Sequence, residues 1–244
     1  MPSTRTRIMA AALAAATAFV VPAAALAGVV VAASGPSAGS FPVGKKIGDA
    51  ERIVLRAGDT LTVLDGQGTR VLRGAGTHTL AQQAGPSRRS TFSVLTERRS
   101  AARMRTGAVR GEDDGTALHS PNLWYVDVGQ PGPFCLAATD RVRLWRSTTE
   151  GDATYSLRGE AGRIHTVTFA DGEMLAPWDT RVLPVSNGAV FHIGGPSGGP
   201  DKELKFVVLD AVAEEPEDLA AQLIQNGCTK QLELLSTATL IAEG

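Results

Sequence analysis

The sequence predicts a mainly β protein in two parts: a small N-terminal β domain, then an antiparallel β-sandwich that ends in a short helical segment. Three observations predict it. Short apolar runs alternate with polar residues and are separated by Gly, Asp, Asn and Pro turns. Asp65-Gly66-Gln67-Gly68 stands between two such runs as a hairpin signal. After Pro216 the apolar spacing changes from two residues to three and four.

The chain opens on a different pattern. Arg5 and Arg7 precede an uncharged, Ala-rich run over residues 8–21, then Pro22, then Ala25-Leu26-Ala27. A basic start, an apolar middle and an A-x-A ending are what a secretory signal requires, so residues 1–27 are expected to be a signal peptide cut before Gly28. Two alternatives stand beside it: a second cut after Val31-Ala32-Ala33, and an uncleaved anchor running to Ala33. No cysteine lies nearby, which excludes a lipoprotein anchor, and no later segment is apolar and long enough to span a bilayer. The expected location is periplasmic or secreted.

Residues 28–50, rich in Ser, Gly and Pro from Ser34 onward, read as a linker. The first β domain covers 51–110. Its strands are expected around Ile53 and Leu55, at 60–64 and 69–73 about the hairpin, and at 77–80 and 91–95. Residues 111–121, with Glu112, Asp113 and Asp114 and no apolar period, read as a second linker.

The sandwich covers 122–244. Strands are expected at 123–128, 134–137, 141–146, 153–157, 163–169, 189–193 and 204–209. Pro216 suits a first helical turn, Glu217 and Asp218 suit its dipole, and Leu219 and Leu223 share a face before the Asn226-Gly227 stop. A further helical turn or two follows Cys228, with Leu232 and Leu235.

Composition narrows function. Net charge is −1, so nothing overall points to nucleic acid. Cys135 and Cys228 are the only two cysteines, and in an oxidising compartment such a pair is expected to form a disulfide. It would close about 94 residues, worth roughly 4–5 kcal/mol in the chain-entropy account. Two thiols without CxxC spacing or a nearby His make a poor zinc site, and no metal or other cofactor is expected.

Catalytic motifs are weak. Gly35-Pro36-Ser37-Ala38-Gly39 and Gly195-Pro196-Ser197-Gly198-Gly199 match a nucleophile pattern, but the first falls in the expected linker and no helix pattern follows the second. No histidine follows Ser197. The loop at 194–202 lacks the Lys-Ser/Thr pair of a phosphate loop. His78, His119, His165 and His192 are isolated in sequence, although His165 and His192 fall on strands that could adjoin. Trp124, Trp145 and Trp178 are expected in the core rather than on a sugar platform. The strongest charged feature is Arg88, Arg89, Arg98, Arg99, Arg103, Arg105 and Arg110, a candidate surface for an anionic envelope polymer or an acidic envelope protein.

Residues 58–65, Gly-Asp-Thr-Leu-Thr-Val-Leu-Asp, with Gly68-Thr69-Arg70-Val71-Leu72 and Arg105-Thr106-Gly107, resemble the start of FecR-like exported domains. The likeness covers about 60 residues. The second part, with 123–128, Cys135, 141–145 and Asn226-Gly227-Cys228, resembles a group of uncharacterised exported proteobacterial proteins. The resemblance implies a small β module that binds a ligand or partner, and it carries no catalytic residues. FecR proteins have an anti-sigma segment and a membrane helix where this chain has its signal. The expected function is a non-enzymatic exported binding or scaffold module of the cell envelope. A sensory accessory of an envelope signalling system and an envelope hydrolase are the alternatives.

Overall fold

A computed structural model describes residues 26–82, 89–97, 119–160 and 162–240, with backbone only for residues 26, 27, 82 and 89. The described residues are mainly β. The first region holds β1 (Leu26–Ser34), β2 (Lys46–Gly48), β3 (Ile53–Leu55), β4 (Thr60–Asp65), β5 (Gly68–Arg73) and β6 (Gly76–His78). A helix, α1 (Arg89–Thr96), follows. The second region holds β7 (Tyr125–Asp127), β8 (Gly132–Leu136), β9 (Arg143–Trp145), β10 (Ala153–Gly159), β11 (Ile164–Phe169), β12 (Leu175–Pro177), β13 (Val190–Gly194) and β14 (Lys202–Val208). Two helices, α2 (Pro216–Gln225) and α3 (Thr229–Ala238), close the described chain.

In the first region an antiparallel sheet in the order β2-β1-β4-β5 faces the β3-β6 pair across a core that includes Val30, Ile47, Ile53, Leu61 and Val63. The expected linker at 28–50 is therefore corrected: it begins with the strand between β2 and β4. Val30 points into this core, whereas Val29 and Val31 point the other way into a second one. A strand buried on both faces has no polar alternation, so its apolar run merges by eye with the Ala-rich run before it.

The second region packs a five-stranded sheet, β11-β10-β13-β14-β8, on a three-stranded one, β12-β9-β7. Both sheets are mixed rather than purely antiparallel, because β14 runs parallel to β8 and β7 parallel to β9. Trp178 meets Phe191 at 4.8 Å and Phe206 at 5.5 Å between ring centres, edge on, in the middle of this core. All three tryptophans are buried, as expected.

The C-terminal helices do not merely cover the sandwich. Leu219, Leu223, Leu232 and Leu235 share one apolar layer with Val29, Val31 and Leu64 of the first region and with Leu123, Cys135 and Leu209 of the second. The helices are a wedge between the two β regions, which the expected division at 111–121 does not anticipate. Residues 111–118 lie outside the described ones.

The strand expected at 91–95 is also corrected, to α1. Phe92 and Leu95, three apart, are buried in the shared layer, while Val94 is exposed. The carbonyls that end the helix are met from across the chain: Leu95 O by the amide of Leu123, Thr96 O by Trp124 Nε1 and Glu97 O by Asn122 Nδ2. Such capping is non-local, and alternation of Phe92 with Val94 gave the wrong period.

Candidate functional site

The Cys135–Cys228 disulfide is present, with Cα atoms 5.9 Å apart across a sequence separation of 93. It joins β8 to the residue that precedes α3. Gln231, one turn further along α3, reinforces the junction. Its Oε1 accepts from the Cys135 amide at 2.7 Å, and its Nε2 donates to Cys135 O at 2.9 Å and to Leu123 O at 2.8 Å. Because β8 is an edge strand, the amide of Gln231 does for Cys135 what a neighbouring strand would do. The opposite end of α3 closes a second edge, that of β5: the Thr69 amide donates to Thr239 O and the two threonine hydroxyls meet at 2.9 Å.

Below Gln231 the β8 edge runs on through Phe134, Pro133 and Gly132, and α3 diverges from it. The gap is a cleft of about 110 Å³, walled by Tyr125, Asp127 and residues 130–134 on one side and by Lys230, Glu233, Leu234 and Thr237 on the other, with His119 also in its lining. Tyr125, the first residue of β7, is 6 % exposed and its hydroxyl has no hydrogen-bond partner among the described residues. Burial pushes that hydroxyl's pKa up, against a smaller opposing pull from Arg143.

Asp127 ends β7 and builds the turn that follows. Its Oδ1 accepts from the Gly129 amide at 2.7 Å and its Oδ2 from Gln130 Nε2 at 3.0 Å. Burial raises its pKa, and these hydrogen bonds with the Lys202 and His119 charges oppose the rise. Lys230 and Glu233 pair at the rim, 3.2 Å apart. The cleft thus offers an unpaired hydroxyl, a partly desolvated carboxylate and apolar walls. Small-molecule sites usually enclose about 300–1,000 Å³. This one suits a single projecting group rather than a whole metabolite.

The other candidates fall elsewhere. Of the arginine cluster, Arg88, Arg98, Arg99, Arg103, Arg105 and Arg110 lie outside the described residues, and Arg89 is described only as backbone at the start of α1. Ser37, expected in an unsupported linker, is in fact held: its amide donates to Asp59 Oδ1 at 2.8 Å. Hydrogen bonds from the side chain and backbone of Ser37 hold the Asp59 carboxyl below its ordinary value, so the neighbour of this serine is a carboxylate and not an imidazole. Ser197 sits in an exposed loop.

His165 pairs with Leu157 and His192 with Arg158, which are consecutive residues of β10. Successive residues point to opposite faces, so the two histidines do not meet. Among the described residues no group of three His, Cys, Asp or Glu side chains is placed to hold a metal ion, and no helix is long and apolar enough to cross a membrane.

Sequence reading missed the cleft and Gln231. Their parts come from 119–134 and 230–237, and Gln231 lies between Lys230 and Leu232 as any surface helix residue does. No family model, curated protein or solved structure matches this chain.

Proposed function

We propose that this is an exported, non-enzymatic binding or scaffold module of the bacterial cell envelope, periplasmic or secreted, and that the cleft between α3 and the β8 edge receives a projecting group of its partner. The observation that carries the reading is Tyr125: a buried hydroxyl without a partner, in a cleft too small for a metabolite but wide enough for a side chain or a polymer substituent. The basic start and A-x-A of residues 1–27 and the Cys135–Cys228 disulfide support export. The FecR-like stretch at 58–72 supports a partner-binding role, and the arginines over 88–110 support an anionic polymer or acidic envelope protein as that partner.

The test is capture from envelope extract by the protein and by its Tyr125→Phe variant. Recovery of one protein or polymer by the parent, with at least tenfold less on the variant, is the expected result. Recovery that ignores Tyr125, or no recovery, counts against the cleft.

A second reading, an envelope hydrolase, draws on the same wall, since His119, Tyr125, Asp127 and Glu233 all line the cleft. Against it, both Asp127 oxygens are committed to the turn and, among the described residues, no base lies in hydrogen-bond reach of the Tyr125 hydroxyl.

A further inference from the structure

Gly28 is a point in β1 at which the fold dictates residue identity. A Cβ there would stand 2.8 Å from Val63 Cγ1 and 3.1 Å from Leu64 O, which only glycine avoids. Just before it, between Leu26 and Gly28, the β1–β2 ladder loses its regular register. From Gly28 onward β1 is pinned on both sides: Gly28 pairs with Ile47 and Asp65, and Val29 with Lys46 and Leu64. Val29 and Val30 are 1 % and 0 % exposed. A chain starting at Ser34 would leave β2 without its one neighbour in the sheet and remove Val29 and Val31 from one core and Val30 from another. The second candidate cut, after Ala33, is incompatible with this architecture.

Beside Gly28 lies a recess of about 140 Å³, walled also by Val29, Lys46, Glu217 and Asp218. Glu217, in the first turn of α2, has its Oε2 closed off from solvent and without a hydrogen-bond partner among the described residues. Lys46 does not fill that role, since its Nζ lies 3.8 Å from Asp218. A buried acceptor without a donor is a cost that a cation in the same recess relieves.

We infer that the chain is processed between Ala27 and Gly28, and that the ammonium so created on Gly28 is received by the Glu217 carboxylate. The step is hydrolysis by an external signal-type peptidase. Water adds to the Ala27 carbonyl carbon, the C–N bond breaks, and the Gly28 nitrogen leaves as an amine that takes up a proton. The raised pKa of Glu217, caused first by burial, agrees with a carboxyl that has lacked a cation. The inference rests on the reading of the chain as exported.

The experiment is intact mass and N-terminal sequencing of the protein purified from the envelope fraction, followed by thermal melting. A start at Gly28 is expected. An envelope protein that starts at Ser34 or keeps Met1 overturns the cut alone, whereas a protein confined to the cytoplasm overturns export and the cut together. In the purified mature protein, Glu217→Gln should lower Tm by about 3 °C at neutral pH. That loss should fade above about pH 9, as the amine, with an ordinary pKa near 8, gives up its proton. Selective acetylation of the Gly28 amine should lower the parent's Tm by the same amount and make Glu217→Gln silent. An equal effect of Glu217→Gln before and after acetylation overturns the pairing.

Discussion

Among the described residues the two β regions each bury one arginine, and they neutralise it in opposite ways. In the first region Arg70 Nη2 lies 3.0 Å from Asp65 Oδ2, with Nη1 donating to Leu80 O at 2.7 Å. In the second, Arg146 is 2 % exposed and makes no carboxylate pair among the described residues. Its guanidinium donates to the carbonyls of Glu173, Thr149, Gly151 and Ala170 and lies 5.3 Å above the Phe169 ring. One buried charge is met by an opposite charge, the other by dipoles and a ring face. The contrast extends to the cores only in degree. Each region encloses one of its own, the larger in the second, and both lend residues to the layer around α2 and α3: Val29, Val31 and Leu64 from the first, Leu123, Cys135 and Leu209 from the second. Neither region is therefore independent of the helices.

The largest way to break the contrast is through the disulfide. Replacing Cys135 and Cys228 with Ala should cost about 4 kcal/mol and lower Tm by about 10 °C. Since α2 and α3 underlie both regions, amide exchange should quicken in β1 and β4 as well as in β8. Protection lost from β8 alone would show that the wedge does not couple the regions.

Arginine replacement comes next, at roughly 3–4 kcal/mol for either site. The pH dependence separates them. Burial already raises the Asp65 pKa, with Arg70 pulling it down, so Arg70→Met leaves that folded pKa higher still. A carboxyl whose folded pKa exceeds its unfolded value gains stability as pH falls through the folded pKa. The Arg70→Met penalty should therefore shrink in acid, whereas the Arg146→Met penalty should stay constant. Denaturant midpoints from pH 7 to pH 4 check this, and parallel curves would sink the distinction.

Gln231→Ala should cost about 2–3 kcal/mol, because it leaves Cys135 N, Cys135 O and Leu123 O without their partner. Faster hydrogen exchange at Cys135, with β5 unchanged, is the expected signature. The smallest effect belongs to Tyr125→Phe, which removes an unpartnered buried hydroxyl and should be neutral or stabilising by up to about 1 kcal/mol. A loss of stability there would mean that the hydroxyl has a structural role.

Legibility in the sequence followed how local each signal is. The hairpin at Asp65–Gly68 and the stop at Gly227, with φ of +70°, were local and readable. So were Pro216 at the start of α2 and the spacing of Leu219 with Leu223. Strands with one wet face, such as β10 and β11, announced themselves by alternation. β1 did not, since Val29, Val30 and Val31 are all buried and its apolar run continues the one before it. α1 escaped because its caps come from Asn122, Leu123 and Trp124, far along the chain. The cleft could not be read at all, because neither wall carries a pattern that names the other.

The contact between Thr69 and Thr239 has a consequence for the order of events in the cell. The two residues are 170 positions apart, so a chain made from its N-terminus presents β5 as an open edge until 170 further residues have been synthesised. β1 and β4 wait equally long for α2. The first of the described strands to be made are thus among the last to become complete. For the whole of that interval the nascent chain carries an unprotected strand edge, and a holding chaperone is the kind of helper it calls for.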